Sequence, residues 1–280
     1  MKKQLFLFLM TLLPMITMAY DAEIDGIYYD FSGTEATVTY KLMESGTYIS
    51  DYSGDIVIPQ NVTYKGKTYE VSSIGSDAFY KCYKLTSVII PNSVTSIGYG
   101  AFRYCHYLTT IQIPESVTDI DGYAFDGTAW LNNQPDGLVY AGKVAYKYKG
   151  EMPENTTINI KDGTKYISYY AFNGCSGLTS INIPNSVTNI GSYAFDGTAW
   201  YDNLPDGVVY AGKVAYRYKG NMPENSTIDI EDGTLYVADY AFYGCSNLKS
   251  INIPEGVTTI GEYNQEIKGK TNVEIIPVSA

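Results

Sequence analysis

Few residues in this chain are suited to chemistry. Its 280 residues include a single histidine, His106, and four cysteines, which are Cys82, Cys105, Cys175 and Cys245. Thiols and an imidazole can hold a metal ion or act as nucleophile and base. The sequence has no Cys-x-x-Cys motif and no Cys/His cluster, so we predict no metal site. His106 directly follows Cys105, and neighbouring side chains on extended backbone diverge, so we predict no Cys–His catalytic pair.

The acidic residues do not form a recognisable catalytic set either. A glycosidase needs two carboxylates placed across a cleft, whereas pairs such as Asp119 and Asp121 are expected on the surface of a chain with a net charge of −11. The glycines recur at turn positions and do not form a phosphate-binding loop. The negative charge also disfavours nucleic acid and anionic lipid as partners. We therefore predict that the protein is not an enzyme, has no catalytic residues and binds no cofactor, metal or nucleic acid.

The elements that position these residues belong to a repeat. Ala-Phe dipeptides begin at residues 78, 101, 124, 171, 194 and 241, with spacings of 23, 23, 47, 23 and 47. A fixed period of this length is typical of a solenoid, because one repeat cannot bury its apolar face alone. The array favours one continuous domain in which each coil contacts its neighbours.

Each coil is predicted to contain two extended stretches and a turn. In residues 85–91, Val88 and Ile90 face the core while Ile89 faces outward, as period-2 alternation requires. A second short stretch follows at Ser93–Ile97, and each Tyr-Ala-Phe segment after it is expected to form one turn of helix. Stacked coils then lie about 5 Å apart and pair in parallel.

The repeat resembles that of the BspA-like leucine-rich-repeat family of bacterial cell-surface proteins. Its pattern is Leu-Thr-Ser-Ile-x-Ile-Pro-x-Ser-Val-Thr-x-Ile-Gly-x-x-Ala-Phe-x-x-Cys, and the match covers residues 55–263. The resemblance implies a repeat solenoid with a short parallel β-sheet on one face and extended segments and short helical turns on the other. It also implies adhesion at bacterial surfaces, with host matrix proteins, surface proteins or glycans as partners.

The ends of the chain predict export. Basic residues at Lys2 and Lys3 precede an apolar run that ends near Ala19, which is typical of a secretory signal peptide. The run is shorter than the roughly 20 residues of a membrane-spanning helix. We predict a signal peptide (1–19), a β-rich N-terminal cap (20–54), the solenoid (55–262) and a C-terminal cap or tail (263–280). The expected location is the cell surface, periplasm or medium without membrane insertion, and without a lipid anchor because the first cysteine is Cys82.

The cysteines follow the repeat and are expected to be core thiols. Each lies three residues after a repeat phenylalanine. Cys175 is three coils from Cys105 and three coils from Cys245, beyond the roughly 7 Å Cα separation that a disulfide tolerates. Only Cys82 and Cys105 lie on adjacent coils and could pair, but buried free thiols are the preferred interpretation.

Two irregular coils interrupt the period. Residues 111–180 and 181–250 are about 70 % identical, so a 70-residue block is duplicated. Each copy contains an irregular coil that predicts a β-hairpin, turning in the first copy at Ala141-Gly142-Lys143. The aromatic residues of the two irregular coils either pack over the solenoid where the stacking of regular coils is interrupted, or form two platforms that bind a sugar or peptide. These candidate ligand-binding residues are Trp130, Tyr140, Tyr146, Tyr148, Trp200, Tyr210, Tyr216 and Tyr218.

The outward face of the first stretch predicts two polar columns. One column carries small hydroxyls and the other carries mainly amides. Amides in a column either hydrogen-bond along the stack or offer a flat docking surface for protein or glycan. The candidates in this column are Gln112, Asn159, Asn182, Asp229 and Asn252.

Together these features predict an exported, non-enzymatic leucine-rich-repeat protein that binds protein or glycan ligands through the surface of the solenoid. The main alternative is a structural or scaffolding component of the envelope without a soluble ligand. An accessory to a carbohydrate-active enzyme is a third possibility.

Overall fold

The computed structural model describes residues 20–42, 48–49, 52–261, 264 and 274–278. They form a solenoid whose consecutive coils stack mainly on parallel strands. This architecture confirms the fold class expected from the repeat. The predicted signal peptide (1–19) and most of the predicted tail (263–280) lie outside the described residues.

The N-terminal segment is rich in β-structure. β1, β2 and β3 form an antiparallel meander, β4 pairs with β5, and β7 and β8 form a hairpin. Parallel pairing begins where β3 meets β8 and where β6 meets the first strand of the next coil. The strands are β1 (Ala22–Ile24), β2 (Ile27–Ser32), β3 (Glu35–Thr39), β4 (Lys41–Leu42), β5 (Tyr48–Ile49), β6 (Ser53–Val57), β7 (Asn61–Tyr64) and β8 (Lys67–Ile74).

Each regular coil contributes a first strand and a shorter second strand. The predicted alternation is confirmed, since Val88 and Ile90 are buried and Ile89 is exposed. The first strands are β9 (Lys84–Ile89), β11 (Thr110–Gln112), β15 (Thr156–Asn159), β17 (Leu178–Asn182), β21 (Ser226–Asp229) and β23 (Leu248–Pro254). The second strands are β10 (Ser96–Ile97), β12 (Asp119–Ile120), β16 (Tyr166–Ile167), β18 (Asn189–Ile190), β22 (Tyr236–Val237) and β24 (Thr259–Ile260).

The repeat phenylalanines form a ladder through the core. Phe79 and Phe102 stack with ring centroids 4.8 Å apart, and Phe102 and Phe125 stack at 5.7 Å. The amide of each of the first two also donates to the alanine carbonyl of the next coil, at 2.7 Å. All six repeat phenylalanines are fully buried, and burial of each such side chain contributes roughly 1.5–3 kcal/mol. Like residues therefore lie over like residues, as the period predicts.

The Tyr-Ala-Phe segments are turns and not the helical turns that we expected. The tyrosine that precedes Ala-Phe has a positive φ in four coils: 58° at Tyr123, 59° at Tyr170, 60° at Tyr193 and 59° at Tyr240. A left-handed conformation costs a non-glycine residue about 1–2 kcal/mol and cannot continue a right-handed helix. The turn instead directs the tyrosine ring outward and returns the chain to the core at Ala-Phe.

The two irregular coils contain the only α-helices of the described residues, α1 (Ala129–Asn132) and α2 (Ala199–Asp202). The Thr128 hydroxyl accepts the Leu131 amide and so caps the N-terminus of α1. The same hydroxyl donates to the Phe125 carbonyl at 2.7 Å. This capping role explains why threonine replaces the repeat cysteine in these two coils.

A β-hairpin follows each helix, as predicted. β13 (Gly137–Ala141) pairs with β14 (Val144–Lys149), and β19 (Gly207–Ala211) pairs with β20 (Val214–Lys219). At the first turn Gly142 has φ +55°, and a Cβ there would lie 2.6 Å from the Val117 carbonyl oxygen. Glycine is thus required both for the turn and for its close approach to the preceding coil.

The hairpins keep the second strands stacked but interrupt the first strands. β14 pairs in parallel with β16, and β20 with β22, in the position of a second strand. The first strands consequently form three separate sheets, β6–β9–β11, β15–β17 and β21–β23–β25, where β25 spans Glu274–Val278.

None of the four cysteines forms a disulfide, as expected. Cys82, Cys105 and Cys245 are buried and Cys175 is half-buried. The Cys105 thiol donates to the Phe79 carbonyl of the preceding coil at 2.9 Å. A hydrogen bond to Cys82 and burial raise the pKa of Cys105, so its thiol is an inert core group at neutral pH.

Candidate functional site

Two residues of the predicted aromatic platforms belong to the core. Tyr146 and Tyr216 are 2 % and 1 % exposed. Their rings pack edge-on against Phe125 and Phe195 at 5.1 and 5.3 Å. Both tyrosines lie on the buried side of their strands, β14 and β20, so neither ring exposes a surface that a ligand could contact. The structure therefore removes Tyr146 and Tyr216 from the candidate binding residues.

The tryptophans also contact the phenylalanine ladder. Trp130 and Trp200 are half-buried, and each ring centroid lies 4.8 Å from that of Phe125 or Phe195. Tyr148 and Tyr218 are likewise half-buried on the second strands of the hairpins. These four keep some exposed surface, and a binding role for them stays a prediction.

Polar groups of the irregular coils are engaged within the protein. The Tyr140 and Tyr210 hydroxyls accept the amides of Lys161 and Glu231 at 3.1 and 3.0 Å, and the Lys161 ammonium lies 4.1 Å from the Tyr140 ring centroid. Lys147 forms an ion pair with Asp126 at 2.8 Å. Most of the polar groups near the predicted platforms therefore already form hydrogen bonds or ion pairs within the protein.

The polar columns lie where the period places them. Thr157 and Asn159 pair in register with Ser180 and Asn182, and the Asn182 amide donates to the Asn159 side-chain oxygen at 2.6 Å. The Asn252 amide donates to Asp229 in the same way in the second copy. Gln112 is exposed beside Ile89. The structure thus shows the amides hydrogen-bonding along the stack, and docking on them stays a prediction.

A different surface gathers acidic and aromatic residues that the sequence separates. We define the tyrosine–aspartate groove by Asp119, Asp121, Tyr166, Tyr169 and Asp239, which line an open cavity of about 780 Å³. The Tyr169 hydroxyl donates to Asp239 Oδ2 at 3.4 Å, and the Tyr166 and Tyr169 ring centroids are 6.4 Å apart. Further tyrosines complete the wall: Tyr99, Tyr170, Tyr193 and Tyr240.

The groove exists because the irregular coils lack the usual turn after the second strand. β14 continues straight, so the coils on either side of it meet directly, and the Ser168 hydroxyl donates to the Ile120 carbonyl across it at 2.7 Å. At the second irregular coil the Ser192 hydroxyl reaches the Asp239 carbonyl at 3.4 Å. Turn residues from distant coils are thereby brought around one cavity.

A glycine makes room for the most buried polar group of the groove. A Cβ at Gly191 would lie 2.7 Å from the Tyr166 hydroxyl and 2.5 Å from the Tyr169 amide nitrogen. Any larger residue at position 191 would displace the Tyr166 hydroxyl. The equivalent position in the first copy of the block is Asp121. The two copies therefore carry different residues at this position, and both of these residues line or shape the groove.

The carboxylates of the groove lie at positions where the duplicated blocks diverge. Asp119 and Asp121 correspond to Asn189 and Gly191 in the second copy, and Tyr169 corresponds to Asp239. Sequence reasoning assigned Asp119 and Asp121 to the ordinary acidic surface and did not connect them with Asp239. The differences between two otherwise similar copies were the signal that could have found the site.

Burial and like charges perturb the groove's acidic groups. Burial, followed by the nearby Asp121 and Asp239 carboxylates, raises the pKa of Asp119 to about 6. Burial also raises the pKa of Asp121, against a hydrogen bond from the Gly122 amide. The Asp119 side chain is nevertheless exposed on the wall of this open groove, so solvent screens part of this effect. Like negative charges are thus held close together along the wall of the groove.

We expect Asp119→Asn to stabilise the protein at pH 7 and not at pH 4. A carboxyl with a raised pKa in the folded chain loses stability as pH rises from its unfolded value, 3.8, to about 6. At pH 7 the variant removes this cost, which is about 1 kcal/mol after allowing for screening by solvent. Urea denaturation at both pH values measures the difference.

The control is Asp232→Asn, which removes an exposed aspartate outside the groove. It should change stability by less than about 0.5 kcal/mol at either pH. An Asp119→Asn variant that is no more stable than wild type at pH 7 would contradict the electrostatic description of the groove.

The chemistry available in the groove is recognition. Its lining includes carboxylates, phenols and serine hydroxyls but no histidine, and His106 instead lies against the Gly127 carbonyl at 2.9 Å. Within the described ranges, no three His, Cys, Asp or Glu side chains are arranged to hold a metal ion. In the same part of the chain, no helix has the length and hydrophobicity to cross a membrane.

Comparisons with known proteins agree with the repeat. A family model for the BspA type leucine rich repeat region matches six copies, over residues 72–197 and 142–264. A leucine rich cell surface protein from Faecalibacterium prausnitzii has 22 % identity and a TM-score of 0.38, covering 92 % of this chain and 76 % of that one. A leucine-rich repeat protein from Bacteroides ovatus has 24 % identity and a TM-score of 0.37, covering 93 % and 72 %.

The leucine-rich repeat protein of T. pallidum has 21 % identity and a TM-score of 0.38, covering 92 % of this chain and 99 % of that one. Sequence identities and TM-scores this low do not indicate which ligand this chain binds. No curated protein matches the sequence significantly. The family model, which spans most of the described solenoid, shows that the chain belongs to the BspA-type leucine-rich-repeat proteins.

Proposed function

We propose that this protein is exported from a bacterial cell and binds a protein or glycan ligand through the tyrosine–aspartate groove, as a non-enzymatic adhesion or interaction protein. One observation carries the proposal: three carboxylates and several tyrosines line one large cavity, and the carboxylates occupy positions where two blocks of about 70 % identity differ. A residue that recurs in every coil serves the stack, so a residue that departs from the repeat is free to serve a ligand.

The cost of the groove supports a binding role. Three carboxylates of like charge destabilise the fold when they are held close together. Such unfavourable clusters are typical of functional sites, where a ligand compensates the charge. Tyrosines add amphipathic surface that is favoured at interfaces, because an apolar ring and a polar hydroxyl are presented together.

The proposal that the protein is not an enzyme rests on the composition of the groove. Tyr169 and Asp239 make a direct contact at 3.4 Å, but no histidine, lysine or cysteine lines the cavity to act as base or nucleophile. The side chains present are suited to holding a ligand by charge, hydrogen bonds and aromatic contact.

The scaffolding alternative is favoured by the amide columns. Their side chains bond to one another, as at Asn159 and Asn182, and a surface satisfied in this way resembles a structural stack more than a docking face. A scaffold without a ligand, however, gives no reason for carboxylates gathered at positions where the two blocks differ.

A ligand array separates the two functions. The purified chain is screened against immobilised matrix proteins and glycans, followed by the variants Asp119→Asn/Asp239→Asn and Asn182→Ala/Asn252→Ala. We expect a saturable ligand whose affinity falls at least tenfold in the groove variant and is unchanged in the amide variant. Equal loss in both variants, or no ligand at micromolar protein, would contradict the proposed function.

A further inference from the structure

We propose that a second surface, which we call the basic tyrosine edge, binds a segment of an acidic polysaccharide. The edge is formed by the turns that lead from Ala-Phe into the first strand in the first two regular coils. It is separate from the tyrosine–aspartate groove, because none of its residues lines that cavity, and it adds an anionic ligand to the function proposed above. The residues that define it are Lys81, Tyr83, Lys84, His106 and Tyr107.

The edge departs from the repeat at a position that favours glycine. The second residue after each repeat phenylalanine has a positive φ, but Lys81 and Tyr104 occupy this position in the first two regular coils, with φ of 58° and 63°. A non-glycine residue incurs a conformational cost in this region, and residues strained in this way cluster at functional sites. The other coils have glycine here: Gly127, Gly174, Gly197 and Gly244.

Neighbouring positions of the same turns also depart from the repeat. Tyr83 and His106 occupy the position that is serine in the other two cysteine-containing coils, and Lys84 and Tyr107 occupy the next position, which is glycine or asparagine there. All four side chains are exposed, while the buried phenylalanine and cysteine of the turns are retained. The departures therefore alter the surface and not the core, and each brings an aromatic ring or a positive charge.

The edge is positively charged within an acidic protein. Residues 78–114 contain no aspartate or glutamate, although the chain has a net charge of −11. Lys81 and Lys84 are exposed, and the two ion pairs found among the described residues involve neither of them. On the adjacent strand, Asp55 accepts hydrogen bonds from two hydroxyls of β9. An anionic group can therefore form charge-assisted hydrogen bonds with two ammonium groups that no ion pair occupies.

Exposed rings form a continuous surface beside these charges. The Tyr83 and His106 rings are stacked, with centroids 5.5 Å apart and an interplanar angle of 15°. The His106 ring also lies 6.0 Å from that of Tyr104, and its Nδ1 donates to the Gly127 carbonyl at 2.9 Å, which fixes its orientation. Tyr83 and Tyr107 are 46 % and 68 % exposed, so their rings offer apolar surface to a ligand.

Arg103 holds this surface in place and is not one of its free charges. Its guanidinium lies 4.8 and 4.9 Å from the Tyr104 and Tyr123 ring centroids and donates to the Tyr104 hydroxyl at 3.1 Å. Burial raises the pKa of the half-buried Asp77, and the Arg103 charge opposes this effect. The charge of Arg103 is thus used within the protein, so Lys81 and Lys84 supply the charge for a ligand.

A polysaccharide fits the edge better than an acidic peptide does. The C–H groups of a sugar carry partial positive charge and pack on the negative faces of tyrosine rings, while its sulfate or carboxylate groups accept hydrogen bonds from lysine. The edge repeats on coils about 5 Å apart, which suits a polymer of like units. A peptide could gain affinity by adding a strand, but β9 is already paired on both sides, with β6 and β11.

The test uses the whole chain with dextran sulfate and carboxymethyl dextran, and with dextran of the same length as the uncharged control. Isothermal titration should detect saturable binding of at least one acidic polymer and about tenfold weaker or absent binding of dextran. The variants Tyr83→Ala/Tyr107→Ala and Lys81→Gly/Lys84→Ala should each weaken binding of the acidic polymer about tenfold.

The single variant Lys81→Gly separates a binding role from a structural one. Glycine is the residue of four other coils at this position and adopts the positive φ without strain. The variant should therefore be at least as stable as wild type in urea, while it binds the acidic polymer about threefold more weakly. A variant that loses stability without losing affinity would show that Lys81 serves the fold and would contradict the proposal.

The controls remove similar side chains from the last cysteine-containing coil. Tyr243→Ala and Lys249→Ala each delete an exposed residue outside the edge, and both should leave the affinity unchanged. The groove variant Asp119→Asn/Asp239→Asn should not weaken binding, which distinguishes the edge from the groove. Equal losses in the edge variants and these controls would show unspecific attraction and would overturn the proposal.

Other ligands would reassign the edge. Equal affinity for dextran and its acidic forms would exclude recognition of charge. Tighter binding of oligoglutamate or of oligothymidylate than of either acidic dextran would assign the edge to an acidic peptide or to a single-stranded nucleic acid. Absence of binding to both acidic dextrans at millimolar saccharide would refute the proposal and leave the function proposed for the groove unaffected.

Discussion

Phe125→Ala is expected to lower the free energy of unfolding by about 3–5 kcal/mol, the range for deletion of a fully buried aromatic ring. Phe125 stacks on Phe102 at 5.7 Å and also contacts Trp130 at 4.8 Å and Tyr146 at 5.1 Å. The loss is large because this ring joins the regular ladder to the first irregular coil. Urea denaturation followed by circular dichroism measures it.

The matched control for this substitution is an exposed aromatic residue. Tyr107 is 68 % exposed, and Tyr107→Ala should change stability by less than about 0.5 kcal/mol. Because solenoid coils depend on their neighbours, we also expect Phe125→Ala to open the coils around residues 102–146 first, as detected by hydrogen exchange. A Phe125→Ala variant as stable as Tyr107→Ala would contradict the stacked core.

Tyr146→Phe is expected to cost about 1–3 kcal/mol, the penalty for leaving a buried amide unpaired. The Tyr146 hydroxyl accepts the Phe125 amide at 3.0 Å and donates to Asp126. In a regular coil this amide would donate to the alanine carbonyl of the next coil. The hydroxyl therefore replaces a backbone group that the hairpin cannot supply.

The duplicated block provides the comparison variant. The Tyr216 hydroxyl faces the Phe195 amide but does not reach hydrogen-bonding geometry with it, and it is buried without a partner. Tyr216→Phe should therefore cost less than 1 kcal/mol while it removes the same atom. Thermal denaturation of both variants measures the contrast, and equal losses would refute the proposed difference between the two copies.

Much of the fold could be predicted from the sequence because the same local pattern of residues recurs in every regular coil. The alternation at Val88, Ile89 and Ile90, the phenylalanine ladder and the hairpin turn at Gly142 all follow from local patterns that recur. The turn conformation did not follow, because a left-handed tyrosine such as Tyr170 contradicts the ordinary preference of its residue type. Only the stacking of coils compensates that cost.

The groove could not be predicted in the same way. Tyr169 and Asp239 are 70 residues apart, and the second irregular coil lies between them in the sequence. Periodicity describes what coils share, whereas the carboxylates of the groove occupy positions at which the two blocks differ. Tyr146 and Tyr216, which the sequence suggested as ligand-binding residues, are core residues that fill the space where the phenylalanine ladder is interrupted.

The convergence of Asp119, Asp121 and Asp239 on one groove is most directly tested by an NMR titration of the Asp119 carboxyl carbon. We expect a pKa of about 6 in the wild-type protein and a lower pKa in Asp239→Asn, because a like charge contributed from 120 residues away has been removed. A pKa near the ordinary aspartate value that does not respond to Asp239→Asn would show that these carboxylates do not share a groove.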